Sequence, residues 1–239
     1  MFSLLAMAVV LGQQGVPVAS SAQEPVHFEK EIVKKVMGNF LLSLPKEYSK
    51  KRRERFPLVI FLHGAGERGS DLNLVKKHGP PKLIEQGKEF PVIVCSPQCP
   101  EGERWSVDTL NGMLDYLIKK YRVDVDRVYL TGLSMGGYGS WDWVAHNPER
   151  FAAVVPICGG GDPKTVESFK HVPIWAFHGM KDPVVPMERT TQMIDALKAT
   201  GAEPKLTLYP EAGHDSWTES YNNPELWEWI LKQTRHKEQ

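Results

Sequence analysis

The chain has 239 residues, of which 41% are apolar, 24% charged and 10% aromatic, and its 29 Lys and Arg residues balance 29 Asp and Glu residues. This length corresponds to one large domain or two small ones, and the apolar fraction is enough to bury a core, which excludes a disordered chain. The balanced charge argues against a nucleic-acid or membrane partner held by bulk electrostatics. Three cysteines are too few for a disulfide-framed mini-domain or a four-ligand zinc module.

Residues 2–11 form an apolar run of the length of a signal-peptide core, and small residues at 20–22 follow it. The run is too short to cross a bilayer, which needs about 20 residues. We therefore predict that residues 1–22 are a signal peptide, that the protein is exported to the periplasm or beyond, and that residues 26–239 form one catalytic domain. No Lys or Arg precedes the run, so the alternative is a wrongly assigned start codon and a cytoplasmic protein.

Export would expose Cys95, Cys99 and Cys158 to oxidising conditions. The spacing of Cys95 and Cys99 allows a small disulfide-closed loop but is not that of a redox Cys-x-x-Cys motif. Because Cys95 and Cys158 lie in or beside predicted buried strands, burial preference favours free thiols that fill the core.

Short apolar runs alternate with amphipathic stretches along the chain. Strands are predicted at residues 58–62, 92–95, 128–131, 152–157, 174–177 and 206–209, and helices at 106–121, 135–146, 187–199 and 224–234. Strands that are apolar on both faces and separated by helices indicate an α/β fold, with a mostly parallel central sheet covered by helices on both faces. Residues 28–35 and 39–44, joined at Gly38-Asn39, predict an antiparallel hairpin at the N-terminal edge.

The segment Gly132-Leu-Ser-Met-Gly-Gly137 follows a predicted strand and opens a predicted helix. In this setting a Gly-x-Ser-x-Gly elbow makes the serine oxygen project from the sheet, and its tight turn needs small flanking residues. The helix N-terminus offers free N–H groups beside this oxygen. The motif predicts Ser134 as a nucleophile, with a purely structural glycine-rich turn as the alternative.

Such an elbow is followed along the chain by an acid and then a histidine. Asp182 and His214 each follow one of the next predicted strands, and the carboxyl ends of parallel strands meet at one edge of the sheet. We therefore expect His214 to exchange protons with Ser134, and Asp182 to orient the imidazole of His214.

Two other carboxylates compete with Asp182 for this role. Asp162 follows a neighbouring strand, and Asp215 adjoins the candidate histidine. His63 and His178, each before a glycine at a strand end, are expected to anchor loops through hydrogen bonds.

Acyl transfer also needs amide donors aimed at the developing oxyanion. The Met135 amide, next to the nucleophile, is one candidate, and the loop after the first parallel strand supplies the other, from Ala65 or, second, Gly66. Glu67 and Arg68 are interpreted as a rim ion pair or as charges that face the substrate.

The chain resembles the α/β-hydrolase-fold carboxylesterases of the dienelactone-hydrolase, feruloyl-esterase and phospholipase/carboxylesterase-like branch. The resemblance extends over residues 28–235 and is carried by the motifs His63-Gly-Ala-Gly-Glu-Arg-Gly-Ser-Asp71, Gly132-Leu-Ser-Met-Gly-Gly-Tyr-Gly-Ser-Trp141, His178-Gly-Met-Lys-Asp182 and Gly213-His214. It implies the α/β-hydrolase fold, the same three catalytic residues, and the amides of Ala65 and Met135 as the oxyanion hole. Dienelactone hydrolases carry a cysteine nucleophile, so the resemblance does not extend to lactone specificity.

Residues 162–172 leave room for one or two helical turns where many α/β-hydrolases insert a cap, and residues 66–90 are the other insertion at that edge. We expect a minimal cap and an open cleft that suits short acyl groups or ester side chains of a polymer. Trp105 and Trp217 are candidates for stacking on a sugar or aryl group. The other tryptophans considered are expected to pack in the core: Trp141, Trp143 and Trp175.

The main hypothesis is a serine carboxylesterase for short-chain esters, such as acetyl or feruloyl groups on plant polysaccharide. A serine peptidase of the prolyl-oligopeptidase type has a similar elbow, and a non-catalytic binding module of this fold is the third reading. No metal motif, nucleotide-binding loop or basic stripe occurs, so we expect no cofactor, metal or nucleic acid. The oligomeric state is not predicted beyond the assumption of a monomer.

Overall fold

Seven strands pair into one sheet within residues 33–235, the part of the chain that the computed structural model describes. They are β1 (Asn39–Ser43), β2 (Phe56–Leu62), β3 (Ile93–Gln98), β4 (Val123–Leu133), β5 (Ala153–Ile157), β6 (Trp175–Gly179) and β7 (Lys205–Tyr209). Their order in the sheet is β1-β3-β2-β4-β5-β6-β7, with β1 antiparallel to β3 and every other neighbouring pair parallel. The mostly parallel sheet with an antiparallel N-terminal edge is therefore confirmed.

Helices cover both faces of this sheet. Among the described residues they are α1 (Gly79–Glu85), α2 (Val107–Lys120), α3 (Met135–His146), α4 (Val166–Phe169), α5 (Glu188–Ala199), α6 (Trp217–Asn222) and α7 (Pro224–Lys232). Short 3-10 helices lie at Lys46–Tyr48, Ala65–Glu67, Leu72–Lys77, Pro148–Arg150 and Pro163–Thr165. All of these elements belong to one compact unit, which begins at Val36.

The side chains of β2 alternate between the two faces of the sheet, and each face is covered by a layer of helices. Leu58, Ile60 and Leu62 belong to the cluster that also holds buried side chains of α2, α3, α4 and α5. Val59 and Phe61 belong to the opposite cluster, with side chains of α1, α6 and α7. Successive side chains of a strand point to opposite faces, so a run that is apolar throughout needs a helical layer on each side.

The partner of the first strand differs from the prediction. β1 begins at Asn39 and pairs with β3, from Asn39 opposite Gln98 to Ser43 opposite Val94. Residues 33–38 form no strand, and residues 28–32 lie outside the described part of the chain, so the predicted turn at Gly38-Asn39 is wrong for the residues described. Alternating polarity identifies an edge strand, but it does not say which neighbour offers free backbone groups.

The insertion at residues 162–172 is short, as expected, and residues 66–90 form the second insertion at the carboxyl edge of the sheet. Residues 162–172 contain one 3-10 turn and α4, whose Val166 and Phe169 are buried in the core. Residues 66–90 contain short turns and α1, whose Leu83 packs in the opposite core layer. Both insertions thus pack apolar side chains against the sheet.

None of the helices between residues 33 and 235 combines the length and apolar character that crossing a membrane requires. The predicted signal peptide, residues 1–22, lies outside the residues that the structure describes.

Candidate active site

Ser134 occupies a strained turn between β4 and α3. Its φ is 52° and its ψ is −116°, a backbone conformation that non-glycine residues rarely adopt. The flanking glycines make this turn possible. A Cβ atom on Gly136 would lie 1.9 Å from the carbonyl oxygen of Leu62, and one on Gly132 would lie 2.3 Å from that of Gly136. The serine thus sits at the carboxyl edge of the sheet, at the N-terminus of α3.

A continuous chain of hydrogen bonds joins this serine to the predicted histidine and acid. Ser134 Oγ lies 2.9 Å from His214 Nε2, and His214 Nδ1 lies 2.8 Å from Asp182 Oδ2. Since a carboxylate oxygen accepts, Nδ1 carries the proton in the neutral ring and Nε2 accepts from the serine hydroxyl. The structure therefore brings together the three residues predicted as nucleophile, base and acid.

Asp182 is held as an anion. Its side chain is fully buried, and Oδ1 accepts the backbone N–H groups of Val184 at 2.8 Å and Val185 at 2.9 Å. Burial by itself opposes ionisation, but the hydrogen bonds from His214 and from these two amides outweigh it, and the pKa of Asp182 is lowered. An ionised carboxylate at this place fixes the tautomer and the orientation of His214.

The competing acids are engaged elsewhere. Asp162 Oδ1 accepts the backbone N–H of Lys164 at 3.0 Å and thus caps the following 3-10 turn. Asp215 accepts the N–H and the hydroxyl of Thr218 at 3.0 and 2.9 Å, at the start of α6. Both carboxylates act as local caps in the structure.

Cys158 lies at the site, although its sequence pattern suggested only a core residue. It follows β5, is fully buried and has a φ of 41°. The backbone N–H of Ser134 points to the carbonyl oxygen of Ile157 at 3.0 Å and to Cys158 Sγ at 3.3 Å. Burial raises the pKa of this thiol to about 12, so it is protonated at neutral pH. Its position at the carboxyl end of a central strand was the available signal.

Ligand atoms of Cys158, Asp182 and His214 lie within 4.8 Å of one another, a spacing that also suits a metal ion. The hydrogen bonds described above already engage both nitrogens of His214 and both oxygens of Asp182. We therefore assign this cluster to the hydrogen-bonded chain that ends at Ser134.

The residues predicted to supply the oxyanion hole line the same cavity as Ser134. Ala65 and Met135 both border it, and each is the first residue of its helical segment. The first N–H groups of a helix have no partner within it, so these amides are available to a ligand. Gly66, the second candidate, is exposed in the same turn as Ala65.

Glu67 holds this turn from within. It is 6% exposed, its Oε2 accepts the backbone N–H of Gly64 at 3.0 Å, and its Oε1 lies 3.7 Å from His78 Nε2. Arg68 instead donates to the carbonyl oxygen of Ala65 at 2.9 Å. Of the two alternatives considered for Glu67 and Arg68, the rim ion pair is wrong, because the carboxylate turns inward to satisfy a buried backbone amide. Arg68 borders the cleft that contains Ser134, which agrees with the alternative of a charge facing the substrate.

The two predicted loop-anchoring histidines do anchor loops. His63 Nδ1 donates to the carbonyl oxygen of Gly64 at 2.6 Å, and Nε2 accepts the N–H of Cys99 at 3.0 Å. Burial lowers the pKa of His63 to about 4, against a smaller opposite effect of the Gly64 hydrogen bond. His178, at the end of β6, contacts Thr190 and the carbonyl oxygen of Val185.

The cleft beside Ser134 has a volume of about 780 Å³. Its lining includes three aromatic residues, Trp105, Tyr138 and Trp141, three arginines, Arg68, Arg104 and Arg189, and two carboxylates, Asp142 and Asp162. A cavity of about 460 Å³ also borders Trp105 but does not include Ser134, so the larger cleft is the one that belongs to the site. Its mixture of aromatic and charged groups suits a polar ligand with a flat face.

The two tryptophans singled out from the sequence lie in different places. Trp105 borders the cleft and donates from Nε1 to the carbonyl oxygen of His63 at 3.2 Å. Trp217 is 9% exposed, packs edge-on against the His214 ring at 5.2 Å and donates to His78 Nδ1 at 3.3 Å. Trp217 is thus a neighbour of the histidine, whereas Trp105 faces the cleft.

The three cysteines are free thiols, and Cys95 contacts the sulfur of Met113 at 3.7 Å. This agrees with the prediction of buried cysteines that fill the core.

Several known proteins are similar to this chain over part of their length. A carboxymethylenebutenolidase homologue of Escherichia coli strain K12 is 32% identical over 100 residues, which cover 38% of this chain and 37% of that protein. A bifunctional acetylxylan esterase/xylanase of Neocallimastix patriciarum is 28% identical over 136 residues, which cover 54% of this chain and 20% of that protein. The matched regions therefore span little more than a third of these relatives at most.

Among solved structures, a thermostable esterase is 36% identical, with a TM-score of 0.72 over 82% of this chain and 59% of its own. A ferulic acid esterase, 18% identical, has a TM-score of 0.62 over 81% of this chain and 91% of its own, and shows the fold alone. These likenesses establish the α/β-hydrolase fold. The dienelactone hydrolase family matches residues 100–226, more than half of the chain, and the protein belongs to that family.

Proposed function

We propose that the protein is a serine carboxylesterase that forms an acyl-enzyme on Ser134. The observation that carries this proposal is the unbroken chain from Ser134 Oγ through His214 to Asp182, with contacts of 2.9 and 2.8 Å, beside an open cleft. Membership of the dienelactone hydrolase family and the likeness to a thermostable esterase support ester hydrolysis.

In the proposed mechanism, Ser134 Oγ attacks the ester carbonyl carbon while His214 Nε2 takes the hydroxyl proton. The negative charge on the carbonyl oxygen is stabilised by the amides of Ala65 and Met135. His214 then donates its proton to the departing alkoxide, which leaves as the alcohol. Water, deprotonated by His214, hydrolyses the acyl-enzyme and restores Ser134, while Asp182 keeps the imidazole oriented throughout.

The shape of the cleft supports short acyl groups. The lining of the cleft includes no residue of α1 or α4, so these helices do not enclose a long acyl chain, whose burial would be worth about 0.8 kcal/mol per methylene group. Trp105 and the charged lining suit a sugar or phenolic portion of the substrate. The bifunctional relative is named as an acetylxylan esterase, which supports acetyl esters of polysaccharide, and feruloyl esters are the second group we propose.

The test is hydrolysis of p-nitrophenyl esters from acetate to decanoate, with methyl ferulate alongside, by the wild type and by Ser134→Ala. We expect rates that fall beyond butyrate and are abolished by the substitution. A preference for long chains would contradict the open cleft, because it would require an acyl pocket formed by residues 66–90 or 162–172.

Matched p-nitroanilides of the same acyl groups separate an esterase from a peptidase of the prolyl-oligopeptidase type. Hydrolysis of the anilides at rates similar to those of the esters would favour the peptidase. Failure of Ser134 to react with a fluorophosphonate probe would favour a non-catalytic binding module instead.

We also propose that the chain is exported, on the basis of the apolar run at residues 2–11 and the small residues at 20–22. N-terminal sequencing of the protein from its own host tests this proposal. An intact residue 1 on cytoplasmic protein would contradict it.

A further inference from the structure

The cavity of about 460 Å³ that borders Trp105 without including Ser134, hereafter the second cavity, has no role in the proposed mechanism. It lies among residues 36–40, residues 97–106 and the first half of α2. Arg104 and Trp105 border both the second cavity and the Ser134 cleft. The two spaces therefore adjoin and share part of a wall.

Contacts with the rest of the site hold the shared Trp105 ring in place. Its Nε1 donates to the carbonyl oxygen of His63 at 3.2 Å, and the His63 ring packs edge-on against the indole with centroids 4.8 Å apart. A Cβ atom on Gly139 would lie 2.7 Å from Trp105 Cδ1, so the indole also lies directly against the backbone of α3. A ring fixed in this way does not turn to fill the second cavity, which is therefore formed before a ligand binds.

Aromatic rings and thioethers make up much of the lining. Phe40, Trp105 and Tyr116 supply three rings, and the centroids of Phe40 and Tyr116 are 6.2 Å apart with their planes tilted by 60°. Met37 and Met113 supply two sulfur atoms. Aromatic rings pair favourably with other rings, and thioether sulfur packs favourably at a ring edge. This lining favours a flat aromatic ligand over an aliphatic one.

Two of these side chains leave apolar surface in water. Tyr116 is 47% exposed and Met37 is 75% exposed. Single exposed apolar side chains are common on protein surfaces, but these two border the same cavity. A ring bound there would remove apolar surface of both from water, which favours binding.

The polar groups of the lining suit a neutral ligand with a hydroxyl group. Its charged residues are Glu103 and Arg104, whose charges are opposite. The side chains of Asn39 and Thr109 also border the cavity, and neither makes a hydrogen bond to another group of residues 33–235. A ligand hydroxyl can donate to or accept from either one, whereas an anion would find no excess of positive charge.

We propose that the second cavity binds a neutral phenolic ring, separately from the ester that reacts at Ser134. The ring packs against Trp105 and Tyr116, and its hydroxyl group bonds to Asn39 or Thr109. In the proposed esterase this site anchors substrates that carry a phenolic ring at a distance from the ester bond, and this clause rests on the proposed function.

The first test needs neither activity nor a substitution in the site. Met37 and Met113 border the second cavity but not the cleft, whereas Met135 borders the cleft but not the second cavity. The wild type, labelled with ¹³C at its methionine methyl groups, is titrated with 4-hydroxybenzyl alcohol. We expect saturable shifts of the Met37 and Met113 signals and an unchanged Met135 signal. Any other pattern would overturn the proposal, whether or not the protein hydrolyses esters.

A matched pair of tyrosines tests the position of the ring. Tyr116 borders only the second cavity of the two, Tyr138 borders only the cleft, and they are 47% and 37% exposed. By calorimetry, Tyr116→Ala should raise the Kd of 4-hydroxybenzyl alcohol by about three- to tenfold, and Tyr138→Ala should leave it unchanged. A loss of affinity in Tyr138→Ala that equals or exceeds the loss in Tyr116→Ala would overturn the proposal. Circular dichroism checks that both variants are folded.

Cyclohexylmethanol, which is of similar size but not aromatic, tests the chemical class of the ligand. It should bind the wild type more weakly than 4-hydroxybenzyl alcohol does, because it lacks both the ring electrons and the phenolic hydroxyl group. Equal affinity for the two alcohols would show a cavity that selects only for apolar surface, which would overturn the assignment to phenols.

Kinetics test the clause that rests on esterase activity. The substrates are 4-hydroxyphenylalkyl acetates of increasing alkyl length, each compared with the cyclohexylalkyl acetate of the same length. At the length that spans both cavities, Tyr116→Ala should raise the ratio of the phenolic KM to the cyclohexyl KM by about three- to tenfold, with little change in the ratio of kcat values. A KM ratio that Tyr116→Ala leaves unchanged at every length would overturn the anchoring role. Absence of any ester hydrolysis by the wild type would contradict the proposed function instead, and the methionine signals would still decide whether the second cavity binds phenols.

Discussion

The Cα of Gly136 lies so close to the backbone of Leu62 that a Cβ atom would come within 1.9 Å of the Leu62 carbonyl oxygen. This approach places the first turn of α3 against the end of β2. Met135, the first residue of α3, and Ala65, the first residue of the turn after β2, line the same cleft as Ser134. Ser134 and its two candidate oxyanion donors are therefore brought together by one backbone contact.

We expect Gly136→Ala to lower the free energy of unfolding by about 3 kcal/mol, because two backbone segments must separate to admit the methyl group. Thermal and urea unfolding measure the loss. Gly66→Ala is the matched control, because its Cβ would meet no atom within 4 Å. Equal stability of Gly136→Ala and wild type would show that this contact is looser than described.

Asp182→Asn should lower kcat by roughly 10³- to 10⁴-fold with little change in KM, because an amide neither fixes the tautomer of His214 nor stabilises its charged form. Steady-state kinetics with p-nitrophenyl acetate measure the effect. Asp162→Asn and Asp215→Asn are the controls, since both carboxylates cap local turns. A comparable loss in either control would reassign the acid.

His63 makes stability depend on pH. Its pKa is lowered to about 4 in the folded protein, from 6.5 in an unfolded chain, so between these values the unfolded state binds a proton that the folded state does not. Above about pH 6.5, His63 is neutral in both states and does not change the free energy of unfolding. As the pH falls to about 4, protonation of the unfolded state lowers the free energy of unfolding by on the order of 3 kcal/mol. Below that value both states carry the proton and the penalty is constant.

Urea unfolding at about pH 7 and about pH 4.5 measures this dependence, with His63→Gln as the variant that cannot titrate. The wild type should lose more stability between the two pH values than His63→Gln does. His171→Gln, at an exposed position, should behave as the wild type. Identical losses in the wild type and His63→Gln would mean that His63 is protonated in the folded protein.

Glu67→Ala should lower kcat about 10- to 100-fold through the oxyanion turn, because the buried N–H of Gly64 loses its acceptor and Ala65 loses its support. Glu67→Gln keeps an oxygen at this place and should retain most of the activity. Glu101→Ala, at an exposed carboxylate, is the control. If Glu67→Gln is as inactive as Glu67→Ala, the charge and not the hydrogen bond is required.

The elements with strong local signals agreed with their predictions. α3 spans residues 135–146, as predicted, because a glycine elbow begins it and Asn147-Pro148 follows it. The buried strands also agreed, since runs such as that of β2 are apolar at every position. The short helices α1 and α6 were missed because six or seven residues show too little periodicity to be told from a loop.

Sequence order and residue type were sufficient to select Ser134, Asp182 and His214, because the order of strands and loops in a parallel sheet predicts which loops meet. They could not reveal the inward turn of Glu67, the position of Cys158 beneath the Ser134 amide, or the contact of His178 with Asp182. Hydrogen bonds between side chains distant in sequence depend on side-chain direction and on atomic separations of about 3 Å. Only the packed tertiary structure determines those quantities, whereas apolar periodicity, turn residues and motif order are already present in the chain.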